Sequence, residues 1–186
     1  MEKSMRMKTR DVAFKFRMNA GFPGDVNRSH PASILASKQD STKPVPYVGM
    51  PAMLTAAGAI RYLNATDDGT TNVGIHGIVV RPYPMQAPSS SGSYGGQTLG
   101  SGQAAAPADG VVDVVREGHI LASVVGTGIV RGAAVYVWTA ASTGSHVQGG
   151  FESAASAGNT LKVLNAIFNG PEDANGVAEI FISAQV

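Results

Sequence analysis

Four histidines and a few carboxylates are the side chains of this chain with the potential for chemistry. No two of the histidines, His30, His76, His119 and His146, have the spacing of metal ligands. His76 in a predicted strand and His119 at the start of another are interpreted as structural or exposed. The chain has no cysteine, which excludes thiolate catalysis, zinc ribbons and disulfides. The sequence therefore predicts no catalytic residue, no metal site and no cofactor.

Two loops carry part of a ligand-binding motif. Residues 67–72 (DDGTTN) offer oxygen ligands but lack the length and the final glutamate of an EF-hand calcium loop. Residues 126–132 (GTGIVRG) imitate a phosphate loop, but a strand is predicted after them, where phosphate binding needs a helix N-terminus. Both segments are therefore interpreted as turns.

Three further carboxylates, Glu152, Glu172 and Asp173, lie in polar, turn-like contexts in which solvation is the default. No motif supplies a nucleophile with an adjacent base. We therefore expect no hydrolase, transferase or redox activity, so the chain is predicted not to be an enzyme.

The composition points to a folded β-rich protein. Of 186 residues, 44% are hydrophobic, which excludes a disordered chain, and 15% are charged, well below the usual quarter or so. No apolar run approaches the roughly 20 residues of a membrane span, so we expect no membrane association. The length suggests one domain with a substantial core.

From residue 47 onward, apolar β-prone runs alternate with clusters of Gly, Asn, Asp and Ser. This pattern predicts an all-β fold, a single β-barrel or jelly-roll-like body of about eight to nine strands over residues 47–186. Residues 111–125 predict a tight hairpin that turns at Glu117-Gly118. Strand alternation predicts these buried positions: Val79, Val114, Leu121, Val124, Val137, Leu164, Ile180 and Ile182.

Residues 1–46 are predicted to form an N-terminal arm and an extended connector, with a possible helical turn at 33–38. The first thirty residues carry seven basic and three acidic groups, a net charge of +4, whereas the rest is at −3. Within the arm, apolar residues alternate with polar or basic ones. This alternation predicts an amphipathic strand with one apolar and one basic face. The candidate residues for contact with an acidic surface or another subunit are Val12, Phe14, Lys15, Phe16, Arg17, Met18 and Arg28.

Other interpretations of the arm stay open. It is either a solvated tail, an internal edge strand or a segment that contacts another subunit. Phe14 and Phe16 would be able to stack on nucleic-acid bases, but the body has no basic stretch to support such binding, so no direct nucleic-acid contact is expected. Residues 85–110, rich in Gly and Ser, predict a long loop that either wraps over a partner or is mobile.

Several stretches resemble the structural cement, or capsid decoration, proteins of tailed bacteriophages. The resemblance covers about residues 20–186 and rests on the order and spacing of the stretches rather than on one motif. They are GFPGDVNR at 21–28, GIVVRPYP at 77–84, the segment 110–118 with the β segment after it, GGFE at 149–152 and GVAEI at 176–180.

The resemblance implies a non-enzymatic virion protein bound to the outside of an icosahedral head. Such a protein is made in the host cytoplasm, bridges neighbouring major capsid subunits and stiffens the shell. It also implies a small homo-oligomer, with a dimer the first choice and a trimer the second. The alternatives are another virion surface module that binds a receptor or glycan and, less favoured, a β-trimeric hydrolase.

Overall fold

The computed structural model describes residues 21–69, 71–81 and 109–184. This part of the chain is almost entirely β, which confirms the predicted fold class. Its elements are β1 (Ser33–Lys38), β2 (Pro51–Leu54), β3 (Ile60–Arg61), α1 (Ala65–Asp68), β4 (Asn72–Val73), β5 (Gly77–Val79), β6 (Val111–Val125), β7 (Ala134–Trp138), β8 (Phe151–Glu152), β9 (Thr160–Phe168) and β10 (Val177–Ile182).

Five strands close into a barrel in the order β6–β8–β7–β9–β10 and back to β6. The second half of β6 pairs antiparallel with β10 and parallel with the short β8. Inward-facing apolar side chains fill the interior, among them Phe151, Phe168 and Ile180, each at most 1% exposed. Closure removes the free edges that an open sheet of these strands would expose.

A second sheet extends from the first half of β6. That half pairs with β5, β5 pairs with β2, β2 pairs with β3, and β1 pairs with the same half of β6. A smaller apolar cluster packs on one face of this sheet and includes Val112 and Val114 of β6 with Val45, Val48 and Ile60.

The predicted hairpin at residues 111–125 is wrong, because these residues form one continuous fifteen-residue strand. A two-residue hairpin turn needs glycine first or positive φ at both residues, and at Glu117-Gly118 only Gly118 has a positive φ, of 133°. A Cβ at Gly118 would lie 2.9 Å from the Cβ of Ala32. Gly118 therefore lies where the strand passes from one sheet to the other.

The possible helical turn at 33–38 is also wrong, because these residues form β1. They pair antiparallel with β6 from Ser33 opposite Glu117 to Lys38 opposite Val111. Tertiary pairing with a long neighbouring strand overrides the weak local preference of a short segment. The boundary predicted at residue 46 stays a prediction.

Six of the eight predicted core residues are buried, whereas Leu121 is half-buried and Leu164 is 65% exposed. The error at Leu164 comes from an irregularity in β9, whose register against β7 shifts by three residues along its length. There Asn165 bonds through its side chain to the backbone N–H and C=O of Ile75, each at 2.9 Å. The shift changes which side chains of β9 face inward.

The short helix α1 follows an N-cap at Asn64, whose side-chain oxygen accepts hydrogen bonds from the backbone N–H groups of Thr66 and Asp67.

Within the described ranges, no helix has the length and apolar character needed to cross a membrane.

Alanine substitutions should lower the free energy of unfolding more at inward-facing than at outward-facing positions of the barrel. Ile180→Ala should lower the free energy of unfolding by about 2–5 kcal/mol, because Ile180 is fully buried. Leu164→Ala is the matched control and should change it by less than about 0.5 kcal/mol. Urea denaturation measures both, and equal losses would contradict the assigned faces.

Candidate functional site

Residues 21–28 follow the arm, which comprises residues 1–20, and backbone hydrogen bonds fix them to the barrel. We call Gly21–Arg28 the anchor segment. The N–H of Gly24 donates to the carbonyl of Leu121 at 2.7 Å, and the N–H of Leu121 donates to the carbonyl of Asp25 at 2.9 Å. The N–H of Asn27 donates to the carbonyl of His119, also at 2.9 Å. The anchor segment therefore runs antiparallel to β6, with an isolated β-bridge between Val26 and Ile120.

Arg81 fastens the anchor segment from the other side. Its N–H donates to the carbonyl of Gly24 at 2.9 Å, and its Nε donates to Oδ1 of Asp25 at 2.7 Å. Its guanidinium lies 4.7 Å above the ring of Phe22. Gly24 has a φ of 86°, and a Cβ there would lie 2.7 Å from the backbone nitrogen of Arg81. This close approach requires glycine at position 24.

Glu179 of β10 joins the anchor segment to the barrel wall. Asn27 donates to its Oε1 at 2.6 Å, and Asn169 donates to its Oε2 at 2.5 Å. Burial acts to raise the pKa of Glu179, but the two amide hydrogen bonds, with a smaller contribution from nearby His119, hold the pKa below its usual value. Glu179 therefore stays ionised and holds both asparagines in place.

An open cleft lies beside these contacts. It is lined by Asp25, Val26, Asn27, Arg28, Leu121 and Glu179. The ring of His119 packs between those of His30 and Phe181, with centroid distances of 4.4 Å and 4.9 Å. Arg28 is exposed at the cleft, so the cleft presents a basic side chain to the surface.

Half-buried and exposed apolar side chains lie on the outer face of the barrel. Phe181 of β10 pairs with His119 on one side and with Ile167 of β9 on the other. Ile167 is 44% exposed and Leu164 is 65% exposed. Adjoining apolar side chains on an outer face are typical of a surface that contacts another protein.

Comparison with known proteins assigns the chain to a family. The model of the structural cement protein family (E217 gp24/Pam3 gp6) matches residues 11–183. The chain belongs to this family. The resemblance noted in the sequence is thereby confirmed, and the protein is a structural component of the phage virion, located with the capsid.

A solved structure shares the fold of this cement protein. It is a chain of the capsid of Myoviridae phage XM1, with a TM-score of 0.61 and 18% sequence identity. The match covers 92% of this chain and 95% of the other. A comparison with curated proteins found no match.

Of the predicted contact residues of the cement protein, the structure places one. Arg28 lies at the cleft, at the end of the anchor segment. The other six lie outside the described residues: Val12, Phe14, Lys15, Phe16, Arg17 and Met18. Most of the predicted loop 85–110 also lies outside them. The assignment of all seven as contact residues stays a prediction.

The residues that hold the anchor segment do not stand out in the sequence. Glu179 and Arg81 lie 152 and 56 positions from their partners Asn27 and Asp25. Such separations leave no periodic signal in one sequence. The available signal was the cluster of turn residues at 21–28, which identified the segment but not what it binds.

The imitation phosphate loop binds an anion from the cement protein itself. The N–H groups of Gly128 and Ile129 donate to the two carboxylate oxygens of Glu172 at 2.8 and 2.9 Å. Backbone hydrogen bonds, including these two, lower the pKa of Glu172. The residues after the loop form strand β7, as expected, and the loop's donors already have an acceptor.

The remaining carboxylate candidates also have partners. Asp68 accepts two hydrogen bonds from Arg61, and Asp67 pairs with Lys43, which agrees with a structural turn rather than a calcium loop. The expectation of a solvated Glu152 is wrong, because it is 6% exposed in β8. Its Oε1 lies 2.8 Å from Nδ1 of His146.

Strand pairing explains the burial of Glu152. It brings Glu152 opposite Tyr136 of β7, and His146 stacks on Trp138 of the same strand at 4.2 Å.

No cluster of three or more metal-binding side chains occurs among residues 21–69, 71–81 and 109–184.

The role of Glu179 predicts a pH-dependent stability. Glu179→Gln should lower the free energy of unfolding at pH 7 by about 1–3 kcal/mol, because two charge-assisted hydrogen bonds weaken. A carboxylate with a depressed folded pKa stabilises the fold above its unfolded pKa of about 4.3 and loses this contribution as the pH falls through the folded value. The difference in the free energy of unfolding between the unmodified protein and Glu179→Gln should therefore be largest above pH 5 and become smaller below pH 4.

The matched control is Glu117→Gln, because Glu117 is exposed. Its effect on the free energy of unfolding should stay within about 0.5 kcal/mol at either pH. A gap for Glu179→Gln that persists unchanged at pH 3 would show that the carboxylate charge is not its cause.

Proposed function

We propose that this cement protein binds the outer surface of an icosahedral phage head and holds neighbouring major capsid subunits together, which stabilises the shell. The anchor segment is the observation that carries the proposal. It fixes the end of a basic, amphipathic arm to a closed barrel through Arg81, Glu179 and the backbone of β6. A force on the arm is therefore transmitted to the whole body.

The charges of the arm suit an acidic neighbour. Residues 1–20 hold six basic and two acidic groups, whereas the body after residue 30 carries a net charge of −3. Lys15 and Arg17 would form ion pairs at the rim of the contact, while the apolar residues of the other face pack against the neighbour. An arm that becomes ordered on binding favours the assembled shell over free subunits, because only the shell places its target within reach.

Repetition on the lattice multiplies weak contacts. We propose a dimer as the bound form, so that two arms and two bodies engage adjacent capsid subunits at once. Linked contacts gain from effective concentration, and overall binding exceeds either affinity without new contacts. The outer apolar face with Phe181, Ile167 and Leu164 supplies a second surface for the capsid.

We further propose that the protein acts without catalysis. Both carboxylates at the cleft already have partners, since Asp25 bonds with Arg81 and Glu179 bonds with two asparagines. His119 Nδ1 lies 3.8 Å from Glu179, beyond hydrogen-bond length. His119 and Glu179 are therefore not joined as the hydrogen-bonded pair that general acid–base chemistry commonly uses.

Removing residues 1–19 tests the role of the arm. The truncated protein should keep the thermal unfolding temperature of the full chain, because the anchor segment and the barrel remain. Its affinity for heads stripped of this protein should fall roughly tenfold or more, which corresponds to about 1.4 kcal/mol. Co-sedimentation with heads measures the binding.

Salt and charge variants complete the test. Binding of the full chain should weaken between 50 and 500 mM salt, because ion pairs at a rim are screened within a Debye length of about 8–10 Å near physiological strength. Lys15→Gln with Arg17→Gln should weaken binding and flatten the salt dependence, whereas Arg131→Gln, an exposed site on the body, should not. Unchanged binding after truncation would refute the arm as a capsid tether.

A further inference from the structure

Two asparagines of this chain are followed by glycine. They are Asn169, directly after β9, and Asn175, in the turn before β10. The side-chain amide of an asparagine in this position is open to attack by the next backbone nitrogen, because glycine has no side chain to hinder the approach. The two dipeptides are identical in sequence, but the structure restrains them differently.

The side-chain amide of Asn175 is unrestrained. The residue is exposed, and none of the described residues bonds to its side-chain oxygen or nitrogen. Its backbone N–H donates to Oδ1 of Asp173 at 2.8 Å, which fixes the turn but not the side chain. The amide carbon Cγ can therefore rotate toward the nitrogen of Gly176 without breaking a side-chain hydrogen bond.

The attacking nitrogen at this site takes part in one turn hydrogen bond. The N–H of Gly176 donates to the carbonyl of Asp173 at 3.1 Å. The bond closes a turn at the surface, where local opening requires far less free energy than global unfolding. It therefore slows the attack without preventing it.

Asn169 is held twice by Glu179. Its Nδ2 donates to Oε2 of Glu179 at 2.5 Å, and its backbone N–H donates to the carbonyl of the same residue at 2.8 Å. A hydrogen bond to an ionised carboxylate is about twice as strong as one between neutral groups. Rotation of Cγ toward the nitrogen of Gly170 would break the side-chain bond, so Glu179 keeps the amide away from its attacker.

We propose that Asn175 is the site of spontaneous deamidation in this protein and that Glu179 protects Asn169 from the same reaction. The nitrogen of Gly176 attacks Cγ of Asn175 and loses its proton, and the new N–Cγ bond closes a succinimide ring. The Cγ–Nδ2 bond breaks and ammonia leaves. Water then opens the ring at either carbonyl to give aspartate or isoaspartate. No group is oxidised or reduced, and water is the only other reactant.

This selectivity preserves the attachment of the anchor segment. An aspartate at position 169 would bring a second carboxylate against Glu179, and two carboxylates in contact disfavour each other's charged form. The same change at Asn175 puts the new charge in an exposed turn, where salt and water screen it. Deamidation at Asn175 therefore leaves the bond between Asn27 and Glu179 intact.

Mass spectrometry of the aged protein tests the proposal. The folded chain is incubated at mildly alkaline pH and digested with a protease that cleaves after glutamate, since cleavage at Glu172 separates the two asparagines. Asn175 should convert roughly tenfold or more faster than Asn169, a factor that corresponds to about 1.4 kcal/mol of activation free energy. In concentrated urea the ratio should fall toward one. Equal rates in the folded protein, or faster conversion of Asn169, would overturn the proposal.

The variant Glu179→Ala isolates the protective contact. Conversion of Asn169 should rise roughly tenfold, because its side chain loses the acceptor, while conversion of Asn175 should stay unchanged. Glu117→Ala, at an exposed position, is the matched control and should change neither rate. Unfolding would instead shift both rates toward their values in urea, and the comparison within the unmodified protein then decides the proposal. An unchanged Asn169 rate in a variant shown by circular dichroism to fold would refute the role of Glu179.

Ammonia release gives an independent readout. Asn175→Gln should remove most of the ammonia that the folded protein releases, because glutamine must close a larger ring and reacts much more slowly. A variant that releases ammonia at the rate of the unmodified protein would show that another amide is the source, which contradicts the assignment to Asn175.

Discussion

The sharing of one strand between two sheets is the constraint on which this structure depends. Strand β6 closes the barrel with its second half and carries the smaller sheet with its first half. Gly118 makes this possible, because its positive φ and missing side chain let the strand pass close to Ala32. The two apolar clusters lie along one strand, so neither sheet can be displaced without disturbing the other.

This constraint also determines how the N-terminus is held. The anchor segment binds the second half of β6, and β1 binds the first half, so residues 21–38 follow the strand through both sheets. Arg81 at the end of β5 and Glu179 on β10 then fasten the anchor segment to each sheet in turn. The arm that precedes Gly21 is therefore attached at the junction of the whole fold.

Polar groups that look chemical in the sequence serve the fold instead. The loop at 126–132 presents backbone N–H groups to Glu172, Asp68 is held by Arg61, and Glu179 is held by two asparagines. A low-charge β protein has few side chains with which to fix long loops, and hydrogen-bonded carboxylates supply that role. The properties left for contact with other proteins are then the shape of the surface, its apolar area and the charge of the arm. These suit a structural protein of the virion.

The sequence by itself determined the all-β class, the family and six of the eight predicted core positions, because alternation along a strand is a local property that pairing reinforces. Tertiary structure alone decided that residues 111–125 are one strand, that 33–38 form β1 and that Leu164 faces outward. Each of these depends on pairing with a distant strand or on a bulge, and neither leaves a periodic signal in one sequence. The same holds for the anchor segment, since Asn27 and Glu179 meet only after the barrel has closed.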